Sequence, residues 1–214
     1  VGRRKFLTYI GFAASVAGAS ALLTSCDKDD DDNTGVNLGG GDIGILNYAY
    51  ALEQLEAAFY TQVIASQYTG ITASELALLT DIRDHEVAHR EFFKAALHGN
   101  AIGSLQVDFS KVDFSSRTSV LNTAKAFEDL GVAAYNGAGK LITTKAYLEL
   151  AGKIVSVEAR HAGYIRDLLS NGSFADNTVV NAQGLDLAKS PAEVLSTASA
   201  FLKTKINASN LPTS

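Results

Sequence analysis

The sequence predicts an all-α protein: a four-helix bundle with a long crossover connection between its halves and a short fifth helix. Three observations carry this. Only two prolines occur in 214 residues, and the apolar residues recur three and four apart rather than alternating. The predicted helices fall into two pairs, each joined by a short turn, with a longer link between the pairs. The two pairs also share a sequence pattern, as one helical hairpin used twice. Hydrophobic residues make up 47% of the chain and charged residues 19%, which suits a single domain with a packed core. The net charge of −5, with no basic patch, argues against a nucleic-acid partner. The single cysteine excludes an internal disulfide and any cysteine-built zinc or iron–sulfur site.

Residues 1–25 read as a targeting segment rather than fold. Arg3, Arg4 and Lys5 form its cationic start, and Tyr9 to Leu23 form a Gly/Ala-rich stretch that is short and weakly apolar for a membrane span. Arg3-Arg4-Lys5-Phe6-Leu7 resembles a twin-arginine export signal. Leu23-Thr24-Ser25-Cys26 resembles a lipoprotein processing box, in which the chain is cut before Cys26 and Cys26 is lipidated. An uncleaved anchor with an incidental cysteine is the competing reading. Residues 26–42, "CDKDDDDNTGVNLGGGD", are acidic and Gly-rich and predict a solvated tether. Lys28 followed by four Asp resembles the surface-export signal of some Gram-negative lipoproteins. The expected location is the cell envelope, lipid-anchored after export, on the periplasmic side or the outer-membrane surface.

The bundle is expected over 43–205, followed by a tail at 206–214. The first helix runs from Ile43 to about Thr69, with Leu46, Tyr50, Ala57, Tyr60 and Ile64 on one face. Thr72 to Glu75 form a capping box that opens the second helix, which ends near "HGN" with Gly99 as its C-terminal cap. A polar loop of about 18 residues follows, long for a connection inside a compact domain. The third helix runs from Thr118 to Asn136 and stops at "NGAG"; the fourth runs from Thr144 to Ser170 and stops at "NGS". In "SPAEVLSTASAFL" Ser190 caps a short fifth helix and Pro191 takes its first position.

The internal repeat selects the chemistry. "ALEQLEAAFY" (51–60) aligns with "AFEDLGVAAY" (126–135), and "EVAHREFF" (86–93) with "EARHAGYI" (158–165). Glu53 thereby corresponds to Glu128, Glu86 to Glu158, and His89 to His161. Glu56 corresponds to Gly131, so Glu53 is the stronger candidate of the two on the first helix. Tyr60 and Tyr135 each follow the repeated Glu of their copy by seven residues, on the same face. A tyrosine there could hydrogen-bond a carboxylate of a neighbouring helix, or be a core residue with its hydroxyl at the bundle edge.

His85-Glu86-Val87-Ala88-His89 also spells HExxH, which on a helix is a zinc-protease motif. The second copy has Val157 where the first has His85, and nothing after His89 offers a recognisable third zinc ligand. This makes His85 dispensable. The six repeated residues instead predict a pair of metal ions. Glu53, Glu86, His89, Glu128, Glu158 and His161 all lie on apolar helix faces. Four carboxylates in a core must take up protons or bind cations. Two divalent ions neutralise them, and each Glu-x-x-His pair puts a carboxylate and an imidazole on one helix face.

Helix one "LNYAYALEQLEAAFY", helix two "DHEVAHREFF", helix three "AFEDLGVAAYNGA" and helix four "IVSVEARHAGYIRDLL" together resemble the ferritin-like domain of bacterial desiccation-associated proteins, over roughly 43–205. The resemblance implies a ferritin-like bundle and a di-iron or di-manganese centre on those six residues. It implies dioxygen or hydrogen peroxide as reactant, with Fe(II) oxidation, peroxidase or catalase-like removal of oxidant as the activity. A membrane partner follows from the lipid anchor. The competing reading is a non-catalytic structural or stress-related helical lipoprotein.

Overall fold

The computed structural model describes residues 34–213. Arg3, Arg4, Cys26 and the acidic run to Asn33 lie outside the described residues. Within them the order is β1 (Val36–Asn37), α1 (Gly41–Ala65), α2 (Ala73–Leu97), α3 (Arg117–Gly139), α4 (Lys145–Leu169), α5 (Pro191–Ala198) and β2 (Ile206–Asn207). Helix α1 packs on α2 and α3 on α4, giving the expected all-α bundle. Among the described residues no helix is long and apolar enough to cross a membrane.

The direction of each helix follows from who meets whom. Tyr60 of α1 reaches Glu128 of α3, and Tyr135 of α3 reaches Glu53 of α1, so α1 and α3 are antiparallel. Glu86 meets His161 and His89 meets Glu158, so α2 and α4 are antiparallel as well. The short turn between α1 and α2 reverses the chain. Helices α2 and α3 therefore run the same way, and the link between them must return the length of the bundle. A 25-residue helix such as α2 is about 37 Å long at 1.5 Å per residue. The segment 98–116 is long enough to span that at about 3.3 Å per residue.

This crossover follows α1. Asn47 donates to the carbonyl of Asn100 and accepts from the Ile102 amide. Further along, Gln54 accepts from the Leu105 amide at 2.9 Å, and Phe59 meets the rings of Phe109 and Phe114. The expected polar loop is thus partly core, with Ile102 and Val112 buried. It also explains why residues 44–57 of α1 are buried without a break: one side faces the bundle and the other faces the crossover.

Local signals held where local chemistry decides. Thr72 and Glu75 form the expected capping box, and Ser190 caps α5 as expected, with Glu193 completing a second box. Two expectations are corrected. Gly99 is not the C-terminal cap of α2; His98 is, with a positive φ of 49°. And α3 does not stop at Asn136 but runs through "NGAG" to its last residue, Gly139. The backbone of Lys189 crosses α3 there: its amide donates to the Ala133 carbonyl at 2.9 Å, and a Cβ on Gly137 would fall 1.7 Å from the Lys189 carbonyl oxygen. Gly137 is a close-approach residue, not a terminator. The segment after α4 is further pinned by Arg166, which is buried and donates to Asp129, Asp176 and the Ser173 carbonyl.

The folded unit extends on both sides of 43–205. Val36 and Asn37 pair in parallel with Ile206 and Asn207, and Leu38 and Leu211 are buried in the core. The last residues of the acidic segment and the first of the tail therefore close the bundle end together.

Candidate metal centre

Each helix of the bundle contributes to one buried cluster at mid-length. Helix α1 brings Glu53, α2 brings Glu86 and His89, α3 brings Glu128, and α4 brings Glu158 and His161. All four glutamates have no measurable exposure. Their helices are apolar on the inward face for several turns on either side, so the carboxylates are carried into the core by the packing of their neighbours. A spacing of three residues aims Glu86 and His89, and likewise Glu158 and His161, at the same point.

The geometry keeps the symmetry of the repeat. Nδ1 of His161 lies 2.8 Å from Glu86, and Nδ1 of His89 lies 2.8 Å from Glu158. Longer approaches complete each side: His161 to Glu158 at 3.3 Å and Glu128 at 3.5 Å, His89 to Glu53 at 3.4 Å and Glu86 at 3.5 Å. One group of donors within 4.8 Å of one another comprises Glu53, Glu86, His89 and Glu158. A second comprises Glu86, Glu128, Glu158 and His161. The six residues singled out in the sequence are thus brought together, and Glu86 and Glu158 belong to both groups.

Close contact is not hydrogen bonding here. Nδ1 of both histidines, both oxygens of Glu86 and Glu158, and one oxygen each of Glu53 and Glu128 are buried without a hydrogen-bond partner of acceptable direction. Buried polar atoms are rarely left so. These atoms converge on shared points between the helices instead of on one another, which fits a set of ligands around cations. The donor set of carboxylates and imidazoles, with no thiolate, suits iron, manganese or zinc ions.

The remaining oxygens of Glu53 and Glu128 are tied down. Tyr60 donates to Glu128 at 2.5 Å, and Tyr135 donates to Glu53. Each tyrosine serves the carboxylate of the other repeat copy, so the pattern "Glu, seven residues, Tyr" interlocks α1 with α3.

The electrostatics of the metal-free chain show the strain of the cluster. Burial raises Glu86 to about 8 and Glu128 to about 7. Burial also works against charge on His161, but the carboxylates of Glu128, Glu158 and Glu86 raise it to about 12. His89 is raised in the same way by Glu158, Glu53 and Glu86. Glu158 is held down at about 2 against the effect of burial, because both histidines face it. Without metal the cluster therefore balances its charge with protons.

Two residues that the sequence set aside lie beside this centre. Glu56 is buried, and burial together with Glu86, Glu158, Glu128 and Glu53 raises it well above the carboxylate range. It sits outside both donor groups, against Gly131, where a Cβ would come 3.1 Å from its Oε1. The alignment of Glu56 with Gly131 was the signal, since one copy makes room for the side chain of the other. His85, expected to be dispensable, places Nδ1 2.9 Å from Nε2 of His161. Its exposure and its mismatch with Val157 gave no sign of this.

Comparison with known proteins agrees with the fold. A family model described as a ferritin-like domain matches residues 41–171. No curated protein matches the chain.

Proposed function

The chain belongs to the ferritin-like domain family, and from that premise we propose that it is a di-metal protein of the cell envelope that turns over an oxidant. Two iron or two manganese ions would be held, one by Glu53, Glu86, His89 and Glu158, the other by Glu86, Glu128, Glu158 and His161. The observation that carries this reading is the sharing of Glu86 and Glu158 between two overlapping donor groups. Carboxylates common to two sites are what a bridged ion pair requires. The four glutamate charges equal those of two divalent ions, so the loaded core is neutral.

When bound, such an ion pair supplies redox chemistry toward dioxygen or hydrogen peroxide. The protein's part is to hold and shield. Tyr60 and Tyr135 fix the orientation of Glu128 and Glu53. Apolar side chains on all four helices exclude bulk water from the cluster. The branch of the family is read as the desiccation-associated one, on the motifs of the four helices, and tethering through Cys26 after export rests on the resemblance of residues 1–26 to lipoprotein signals.

Metal analysis of the protein purified from its native envelope fraction tests the centre. The expected content is about two iron or manganese ions per chain; a content near zero for both overturns the proposal. Comparing the wild type with an E86A/E158A variant separates catalysis from structure. Loss of peroxide and Fe(II) turnover in the variant supports the oxidant reading. Equal turnover, with only a lower melting temperature, replaces it with a structural role for the metal.

A further inference from the structure

We propose that His85 is a positioning residue for His161, and that it makes the two halves of the metal centre unequal. The proposal rests on the di-metal reading above and deepens it. The two imidazoles are close to parallel, with planes 8° apart, and their centroids lie 5.2 Å apart. Nδ1 of His85 is 2.9 Å from Nε2 of His161. That centroid separation is close to the largest that a nitrogen contact of this length allows. The rings therefore meet edge to edge in a common plane, the direction in which an N–H and a lone pair point. This is a hydrogen bond, not a face-to-face stack.

The direction of the bond follows from the other side of His161. Its Nδ1 faces Glu86, Glu158 and Glu128, so a ligating His161 presents Nδ1 to the ion and carries its proton on Nε2. That N–H donates to Nδ1 of His85. The proton of His85 then sits on its own Nε2, toward the exposed side of α2. An outer acceptor of this kind fixes the tautomer and orientation of a ligating histidine and raises its basicity.

Among the described residues, the repeat gives this support to one half of the centre. Glu86 is to His161 what Glu158 is to His89, at the same 2.8 Å. The residue before Glu86 is His85; the residue before Glu158 is Val157, whose side chain can neither donate nor accept. The donors to the two ions match residue for residue, and the asymmetry enters one step outside them. His85 thus distinguishes the ion beside His161 from the ion beside His89.

The test is calorimetric titration of Mn2+ into the metal-stripped full chain, without oxygen, for the wild type, H85F and H85Q. His85 is exposed, so all three are expected to fold, which circular dichroism checks. Phenylalanine keeps the ring and removes the acceptor; glutamine restores an acceptor without the ring. The expected result is two binding steps in the wild type, one of them about 10- to 100-fold weaker in H85F, the other little changed, and H85Q closer to the wild type than H85F. Two wild-type steps that H85F leaves unchanged, or weakens equally, overturn the role of His85 and leave the di-metal reading standing. So does H85Q behaving as H85F. A wild type that binds no Mn2+ and no Fe2+ overturns the di-metal reading itself.

Discussion

The hydroxyl of Tyr60 lies 2.5 Å from Oε1 of Glu128, on a helix 68 residues further along the chain. Tyr135 makes the reciprocal bond to Glu53. Each bond satisfies one oxygen of a carboxylate that has no contact with water. Hydrogen bonds to charged groups contribute about 1.5–3 kcal/mol. Tyr60→Phe should therefore cost about 2 kcal/mol in urea unfolding of the metal-loaded protein, and Tyr135→Phe about the same. A cost below about 0.5 kcal/mol in both would mean that the tyrosines are core residues whose hydroxyls are incidental.

The metal-free protein should lose stability as the pH rises. Glu86 and Glu128 titrate at about 8 and about 7 in the folded chain, from a reference of 4.5, chiefly because of burial. His161 titrates at about 12 against a reference of 6.5, the surrounding carboxylates outweighing burial. In each case the folded chain holds a proton that the unfolded chain has released. The glutamates do so between about pH 4.5 and 8 and His161 above about 6.5. Stability falls with pH wherever the folded state binds more protons. The melting temperature of stripped protein should drop steadily from pH 6 to pH 9. The increment gained on adding metal should grow over the same range, because ligation displaces those protons. A stripped protein equally stable at both ends would contradict the proton-balanced cluster.

What could be read from the sequence was what is local or repeated. The capping box at Thr72, the cap at Ser190 and the proline opening α5 depend on neighbours within three residues, and they appear as expected. The six cluster residues were legible because the chain states them twice. The failures have one physical origin, contact between segments far apart in sequence. Gly137 reads as a helix stop, yet it is a place for Lys189 to cross. Residues 98–116 read as a polar loop, yet they cover α1. The Val36–Ile206 pairing is two residues long and has no pattern to detect. Aligning the copies removed His85 because it lacks a counterpart, whereas that lack is what makes its contact with His161 informative.

The crossing at Gly137 gives a sharp mutational contrast. A Cβ there would lie 1.7 Å from the Lys189 carbonyl oxygen, whereas one on Gly99 would meet nothing within 4 Å. Forcing a methyl into a packed site costs about 1–3 kcal/mol. Gly137→Ala should fall at the upper end of that range in urea unfolding, and should expose the 170–190 segment to proteolysis. Gly99→Ala should stay within about 0.5 kcal/mol of the wild type. Equal effects of the two would refute the close approach.

The pairing of Glu56 with Gly131 can be isolated by a double-mutant cycle. In a helix interior alanine is favoured over glycine by about 1 kcal/mol. At residue 131 that gain is opposed, because the new methyl would come 3.1 Å from Oε1 of a buried Glu56. Gly131→Ala in the native background should therefore be neutral or destabilising. In a Glu56→Ala background, where the space is free, the same change should stabilise by about 1 kcal/mol. The difference between the two backgrounds, at least about 1 kcal/mol, measures how far Gly131 exists to seat the fifth carboxyl group. A coupling of zero would separate the two residues and leave Gly131 with no role in placing Glu56 beside the cluster.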